Sequence, residues 1–545
     1  MHERPRTAKL VLMGGVACSL MWGRANLACA ASQTLRVTTR LVVVNVVAHN
    51  KKGEPVTGLR RSDFTILDDG KPQQIKVFSV ESWQTAPKAA APLPPNIFSN
   101  RVARDGSLPI NVAVILLDGT STSFADSVFA RNEVIKLIRQ MPRGERIALY
   151  VLGPKGLSVI QDFTSDPSPL MEAIRGFHAS PGEGSGGFDA GADLRVPPMS
   201  ASDAAARIVA DMHDRPRPGA MGYSRITPSL EAVRDIAERL SGLPGRKSLI
   251  WVTGHVPYAG AQALKLGIYT EMEHVVRDAI RALNQADVAV YPVDAHGLVV
   301  GPIKMGAVHG PDFTPLWPGE VWTLDMDYWA KQTGGRAFYY TNGLSQVIGK
   351  ALDDSKVAYT LGYYPNRVAW NGKYHPIKVL VDRKDVRLRY RRGYFAASTT
   401  AIAHASPVVM LEAAADSPLD STGLGVTVRL TPIGKPPSPN LKAAVYVDGR
   451  GLTFQPEHDR YDVSFMVWAG QYSKQGALLE AKTSKASFKL TEANYHAALS
   501  GGLGLTIRET LMPDAWQLGV AVLDTASGTT GSIRIPLQHE RVAHP

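Results

Sequence analysis

The chain has 545 residues, of which 44% are hydrophobic and 20% are charged. A domain built around one hydrophobic core typically holds about 100–150 residues. The chain is several times longer, so we predict several domains. The formal net charge is +11, but the basic residues are dispersed along the chain, which argues against the clustered stripe typical of nucleic-acid-binding proteins.

The first segment, residues 1–30, has the pattern of an export signal. The basic start MHERPRTAK precedes the apolar run LVLMGGVACSLMWG, and Ala28 and Ala30 form an A-x-A cleavage site. The apolar run is shorter than the roughly 20 residues that a membrane-spanning helix needs. We therefore predict an exported protein, located in the periplasm, in the cell envelope or outside the cell. A buried first helix or a retained N-terminal anchor is the alternative.

Both cysteines, Cys18 and Cys29, lie inside this segment. The processed chain would therefore contain no cysteine, which excludes disulfide bridges, cysteine metal sites and thiol catalysis.

Residues 31–82 are predicted to form an N-terminal β module. LRVTTRLVVVNVVAHN is a long run rich in β-branched residues, and FTILDDGKPQQIKVFSV has the pattern of a hairpin with Asp69 and Gly70 in its turn. The proline- and alanine-rich residues 83–109 are predicted to be a linker.

Residues 110–396 alternate between strands and helices. NVAVILL, RIALYVLG, KSLIWVTG and VAVYPVD are short apolar runs of the kind that a parallel sheet buries on both faces. Amphipathic helical segments lie between them, which predicts an open, doubly wound, Rossmann-like sheet. The domain is expected to end in a β extension.

Residues 397–420 are predicted to be a second linker, because they are rich in alanine, serine, threonine and proline. From about residue 421 to 545 alternating strand patterns return, and they predict a C-terminal β-sandwich. The predicted fold class is therefore multidomain α/β plus all-β.

A polar cluster follows the first apolar strand of the α/β domain. Ligands bind open α/β sheets beyond the carboxyl ends of their strands, and Asp118 stands at such an end, with Thr120 and Thr122 close behind. One carboxylate with hydroxyls and waters is a set that Mg²⁺ accepts. The alternative is a strand-to-helix turn in which the same residues cap a helix that begins near Phe124.

The sequence DGTST, residues 118–122, resembles the D-x-S-x-S metal-ion-dependent adhesion motif of von Willebrand factor type A (VWA) domains, with threonine at both serine positions. The resemblance extends over roughly residues 35–396, which look like the exported VWA-related proteins of acidobacteria. The stretches that carry it are VVVNVVAHNKKGEPVTGLRRSDFTILDDGKPQQI, PGRKSLIWVTG, LDMDYWAKQTGGRAFYY and YTLGYYPNRVAWNGKYHPIKVLVDRKDVRLRYRRGYFA.

The resemblance implies a degenerate metal site that binds Mg²⁺ or Mn²⁺ weakly. Its ligands would be Asp118, Thr120, Thr122 and the second-loop threonine Thr227, with Ser229 as the alternative to Thr227. Where VWA domains usually place a third-loop aspartate, this chain has Thr253. The missing carboxylate removes one negative charge that would offset a dication, so the expected affinity is low.

The predicted function is that of an exported, non-enzymatic, adhesion-type binding protein whose VWA domain engages a protein partner, with no nucleic acid involved. Two alternatives stay open. One is a metal-free scaffold of the cell envelope. The other is a hydrolase that uses carboxylates of the 294–327 region, where Asp294, Asp325 and Asp327 are the candidates, although strand-end turns and helix capping explain these residues equally well.

Overall fold

A computed structural model describes residues 41–82, 93–101, 112–141, 146–177, 218–256, 270–297, 318–354, 357–365, 373–396, 406–433 and 440–537. All of them belong to one compact unit, Arg40–Pro545. The predicted export segment, residues 1–30, lies outside the described residues.

The structure is mixed α/β. In chain order its strands are β1 (Val42–His49), β2 (Phe64–Asp68), β3 (Lys71–Gln73), β4 (Val77–Ser82), β5 (Ile97–Ser99), β6 (Val112–Asp118), β7 (Arg146–Gly153), β8 (Gly156–Thr164), β9 (Lys247–Thr253), β10 (Val288–Asp294), β11 (Val357–Tyr363), β12 (Tyr374–Val381), β13 (Arg387–Arg389), β14 (Gly393–Phe395), β15 (Val426–Ile433), β16 (Asn440–Val447), β17 (Gln455–Glu457), β18 (Arg460–Tyr472), β19 (Leu478–Thr491), β20 (Leu503–Thr510), β21 (Gln517–Asp524) and β22 (Thr530–Pro536). Its α-helices are α1 (Phe124–Arg139), α2 (Pro167–Gly176), α3 (Pro218–Ser241), α4 (Thr270–Gln285), α5 (Pro318–Thr333), α6 (Leu344–Asp353), α7 (Pro407–Asp416) and α8 (Glu492–Gly501).

The central sheet has the strand order β10-β9-β6-β7-β8. All neighbours are parallel except β8, which is antiparallel to β7. Every residue of β6, β9 and β10 is buried, because α3, α4 and α5 cover one face of the sheet and α1, α2 and α6 cover the other. The sheet is therefore open and doubly wound, which accounts for its continuous apolar strands.

The N-terminal strands do not fold alone. They form two sheets with strands from residues 357–395, in the orders β13-β1-β11-β4 and β14-β12-β2-β3, around one shared core. This differs from the predicted division, which placed 31–82 and the end of 110–396 in separate domains. The reason is long-range antiparallel pairing, such as Val44 with Leu361, which no local pattern reveals. We refer to these two sheets as the β module.

The C-terminal region is a sandwich of two sheets, β20-β16-β15-β5 and β17-β18-β21-β22, with β19 added beside β18. Both sheets contribute to one core. Two elements come from segments predicted to be linkers, since β5 pairs with β15 and α7 packs against β21 and β22. The helix α8 also interrupts a stretch predicted to be all strand. It buries only Ala498, so its sequence has no apolar stripe to indicate a helix.

Both β regions contact the central domain at the edge where its parallel strands begin. The sandwich meets the end of α3, where Gly242 N donates to Thr422 Oγ1 at 2.9 Å. The β module meets the end of α4, where Arg391 donates to the carbonyl of Asn284 at 3.1 Å. The opposite edge, where β6, β9 and β10 end, carries Asp118. Among the described residues no helix is long and apolar enough to cross a membrane.

Candidate functional site at the carboxyl edge of the central sheet

Three adjacent strands end in polar residues at one edge of the central sheet. Asp118 ends β6, Thr253 ends β9 and Asp294 ends β10. The strand register places Thr253 beside both Asp118 and Asp294. Because parallel strands bring their carboxyl ends together, this edge is the expected position of a ligand site.

Asp118 is almost fully buried, with 2% of its surface exposed. Its Oδ1 accepts hydrogen bonds from the backbone N–H and the hydroxyl of Thr120, at 3.1 and 2.6 Å. Its Oδ2 accepts from Ser229 Oγ at 3.0 Å and Trp251 Nε1 at 3.1 Å, and Thr253 Oγ1 lies 3.3 Å away. One buried carboxylate is therefore surrounded by neutral donors.

Burial raises the pKa of Asp118, and the hydrogen bonds from Thr120, Trp251 and Ser229 offset only part of that effect. Desolvation disfavours the charged form, whereas donors favour it. The charge of Asp118 is therefore less favourable in the folded protein than in water.

The loop that follows Asp118 is held by its second threonine. Thr122 Oγ1 donates to the carbonyl of Asp118 at 2.5 Å and accepts from the backbone N–H of Gly254 at 2.9 Å. The next residue, Ser123, caps α1 by accepting from the N–H of Asp126 at 3.2 Å. The capping interpretation of this cluster thus has a direct structural basis at Ser123.

The second-loop hydroxyl that reaches Asp118 is Ser229, the alternative raised for Thr227. Both residues lie on α3, and Ser229 is buried with 1% of its surface exposed. Ser229 Oγ lies 3.0 Å from Asp118 Oδ2 and 3.4 Å from Thr120 Oγ1. The side chain of Thr227 lies outside the described residues.

The hydroxyl of Thr253 forms hydrogen bonds within the turn that follows β9. Its Oγ1 donates to the carbonyl of His255 at 2.8 Å and accepts from the N–H of that residue at 3.1 Å. Burial lowers the pKa of His255, and repulsion from His296 adds to this effect. The turn after β9 is therefore closed by the hydroxyl of Thr253, and burial favours the neutral form of the His255 imidazole in it.

At the end of β10, Asp294 pairs with His296. The Oδ1 of Asp294 lies 2.7 Å from His296 Nδ1 and accepts the backbone N–H of His296 at 3.0 Å. The hydrogen bond raises the pKa of His296, although burial opposes it. The two other carboxylates proposed for a hydrolase lie on α5, where Asp325 is buried and Asp327 forms an ion pair with Lys331 at 2.8 Å.

The residues of this edge fit a tightly held dication poorly. A hard cation needs ligand oxygens whose lone pairs face it. Both oxygens of Asp118 already accept hydrogen bonds, the hydroxyl of Thr122 is engaged on both sides, and Thr253 brings no second carboxylate. Divalent binding at this loop stays a prediction.

Exposed apolar side chains stand beside the hydroxyl loop. Phe124 and Val128, one helical turn apart at the start of α1, are 53% and 37% exposed. Residues four apart lie on the same side of a helix. The edge therefore combines a polar loop that is held by hydrogen bonds with two apolar side chains exposed to solvent.

Two contributors were not foreseen from the sequence as parts of this site. Trp251 lies two residues before Thr253 in β9, and alternate strand residues share a face, so its indole N–H could have been placed beside Asp118. The pairing of His296 with Asp294 follows from their spacing of two in a strand-end turn, which is a common use of aspartate.

Comparisons with solved structures yield a weak likeness for part of the chain. The chain is similar to the VWA domain of SpRpn10, with 10% sequence identity and a TM-score of 0.15, over 31% of this chain and 95% of that chain. It is also similar to an endonuclease/exonuclease/phosphatase from Beutenbergia cavernae DSM 12333, with 17% identity and a TM-score of 0.12, over 34% of this chain and 39% of that chain. No family model matches the chain, and no curated protein matches it. Likenesses at these TM-scores carry no argument about function.

Proposed function

We propose that the protein is an exported, non-enzymatic binding protein of the VWA type, and that the carboxyl edge of its central sheet engages a protein partner. The observation that carries this proposal is the exposed pair Phe124 and Val128 directly beside the loop that Asp118 holds in place. A polar loop that is already held in place, with exposed apolar side chains next to it, is a suitable recognition surface, because the loop loses little conformational freedom on binding.

The partner surface that fits this edge is apolar with an acidic component. Apolar groups would cover Phe124 and Val128. A carboxylate would pair with His296, whose raised pKa increases its charged fraction near neutral pH. In this proposal no dication is required, since both carboxylate oxygens of Asp118 accept hydrogen bonds from donors within the protein.

The test is quantitative capture from an envelope extract with three forms of the protein: wild type, Phe124→Ser and Val409→Ser. Val409 is 57% exposed on α7 of the sandwich and serves as the matched control. Loss of a central aromatic anchor costs at least about 1.4 kcal/mol, or about tenfold in affinity. A partner that Phe124→Ser loses and Val409→Ser retains supports the proposal. Equal recovery by all three proteins contradicts it.

A second arm addresses the metal. Capture and thermal melts are repeated in EDTA and in excess Mg²⁺ or Mn²⁺, with Asp118→Ala as a comparison. Capture that is independent of EDTA, and a melting temperature that the ions leave unmoved, agree with a metal-free edge. An ion-dependent rise in melting temperature that Asp118→Ala abolishes would instead restore the metal-dependent mechanism.

One observation favours the hydrolase alternative. An imidazole hydrogen-bonded to a carboxylate, as in His296 with Asp294, is the arrangement that orients a general base. Hydrolytic activity that Asp294→Asn abolishes, while Asp327→Asn retains it, would replace the binding proposal by an enzymatic one. Activity profiling that detects no such turnover leaves the binding proposal in place.

A further inference from the structure

A second polar cluster lies in the β module, far along the chain from the carboxyl-edge residues. Asp68 ends β2, and Asp69 follows in the turn to β3 with a left-handed backbone, φ 49°. The backbone N–H of Asp69 donates to the carbonyl of Pro376 on β12 at 3.0 Å. The neighbouring His375 is thereby brought beside two carboxylates, from a position 306 residues away.

The three side chains converge. His375 Nδ1 lies 3.0 Å from Asp69 Oδ2, and one ligand atom from each of Asp68, Asp69 and His375 lies within 4.8 Å of the others. Two ligands of one Zn²⁺ ion are at most roughly 4.4 Å apart, since zinc bonds to nitrogen and oxygen are about 2.0–2.2 Å long. Small side-chain adjustments therefore suffice to bring the three atoms to a common ion.

Two of these side chains are buried and rigidly supported. Asp68 is 1% exposed, and its Oδ2 accepts the hydroxyls of Tyr363 at 3.1 Å and Tyr394 at 3.0 Å. His375 is 6% exposed, and its ring packs on that of Tyr394 with centroids 5.5 Å apart. Asp69 is exposed, so the cluster has a route to solvent.

The ring nitrogen of His375 that faces the cluster is Nδ1, which lies 3.0 Å from Asp69 Oδ2. Two ligands of one Zn²⁺ ion at bond lengths of about 2.0–2.2 Å are roughly 3.0–3.5 Å apart. The separation of these two atoms is therefore already close to that of two ligands of a shared ion.

We propose that Asp68, Asp69 and His375 form a binding site for a divalent transition-metal ion. The mixture of imidazole and carboxylate suits Zn²⁺ and Co²⁺, whereas Mg²⁺ and Ca²⁺ favour sets of oxygen ligands only. Three protein groups leave a position for water. The bound ion would join the N-terminal strands of the β module to those that follow residue 357, and would stabilise their association. This site is separate from the proposed function and does not depend on it.

The experiment titrates Co²⁺, and then Zn²⁺ as a competitor, into metal-free full-length protein produced without an added histidine tag. Visible absorption reports the Co²⁺ environment, and elemental analysis after gel filtration gives the stoichiometry. We expect one ion per chain, displaced by Zn²⁺, with an increase in melting temperature. His375→Gln and Asp69→Asn should each weaken binding about tenfold or more.

Asp385→Asn is the matched control, because it removes an exposed carboxylate of the β module that lies outside the cluster, and it should leave Co²⁺ binding unchanged. Asp118→Asn tests whether the ion binds at the carboxyl edge of the central sheet instead. Asp69 is exposed, so Asp69→Asn should fold as wild type does and melt like it in EDTA, which keeps the test valid if His375→Gln proves unstable. Absence of saturable binding to the wild type, binding that survives Asp69→Asn, or binding lost only in Asp118→Asn would each overturn the proposal.

Discussion

At the scale of single residues, the burial of Asp118 has a pH-dependent consequence. Its pKa is raised from 3.8 mainly by desolvation, so its charged form is less favourable in the folded than in the unfolded chain. The free energy of unfolding of wild type relative to Asp118→Asn should fall as pH rises from 3.8 through the raised pKa. Urea denaturation of both proteins over a pH series measures this difference. A difference that is constant, or that grows with pH, contradicts the assignment.

Ser229 is expected to contribute to stability through its hydrogen bond to Asp118. In Ser229→Ala the Oδ2 atom loses a donor at a buried position, which should cost about 1–2 kcal/mol. The exposed Ser168 provides the control, and Ser168→Ala should change stability by less than about 0.5 kcal/mol. The two midpoints of chemical denaturation decide the matter. Equal midpoints would mean that Ser229 is not needed to satisfy Asp118.

The sequence predicts part of this site, for a physical reason. Apolar runs that end in Asp118, Thr253 and Asp294 identify the strand ends, and parallel order brings them together. The choice between Thr227 and Ser229 depends on helix rotation, since two residues differ by about 200° around a helix. Ser229 is four residues before Val233, which is buried in the core between α3 and the central sheet, so Ser229 also faces the sheet. The cluster of Asp68, Asp69 and His375 depends on long-range pairing and has no local signal.

At the scale of elements, the end of α3 is a close contact between the central domain and the sandwich. A Cβ atom on Gly242 would lie 1.7 Å from the carbonyl oxygen of Thr422 and 2.6 Å from Arg101 Nε. Gly242→Ala should therefore destabilise the protein by at least about 2 kcal/mol, because backbone atoms must move to relieve the overlap.

Gly349 offers the matched control within α6, since nothing lies within 4 Å of a Cβ added there. Gly349→Ala should stabilise the protein by about 0.5–1 kcal/mol through higher helix propensity. Denaturation curves of both variants test the contact. A tolerated Gly242→Ala would show that the sandwich does not pack on α3 as described.

Elements with strong local periodicity were predicted more readily than those without it. The buried strands β6, β9 and β10 are continuous apolar runs, and such runs are recognisable alone. The short strand β5 acquires its conformation from pairing with β15. The helix α7 begins at Pro407 in a segment whose composition indicated a linker, and its formation depends on packing against the sandwich.

At the scale of the whole molecule, a buried ion network joins the β module to the central domain. Asp354, after α6, binds His49 Nε2 at 2.8 Å and also pairs with Arg389. Asp354→Asn leaves these partners without their carboxylate and should destabilise the protein by about 3 kcal/mol. Chemical denaturation with separate probes for the two regions measures the loss. Unchanged stability would mean that the network does not hold the regions together.

The pH dependence of this network is opposite to that of Asp118. Burial opposes ionisation of Asp354, but the hydrogen bond from His49 and the charge of Arg389 together lower its pKa below 3.8. Its contribution is therefore present above pH 3.8 and is lost as pH falls through the lowered pKa. Acid titration should destabilise wild type more than Asp354→Asn. Parallel acid transitions would contradict this role.

The domain layout of the whole molecule was the hardest feature to predict. Local patterns locate β1 and β11 as strands, but they do not show that these strands pair with each other. Composition marks residues 83–109 and 397–420 as linkers, whereas part of each contributes to the sandwich. Local sequence reports secondary structure, and partner choice depends on the assembled tertiary structure.

The shared β module also constrains how the chain folds. Val44 pairs with Leu361 in the sheet. The sheet that contains β1 therefore cannot form until more than half of the chain has been synthesised. Contacts of such sequence separation slow folding, because a long loop must close before any contact is gained. The central domain, whose parallel strands lie closer in sequence, can form first. The exposed edges of β1 then require protection from aggregation during the interval, so chaperone dependence is an expected property of this architecture.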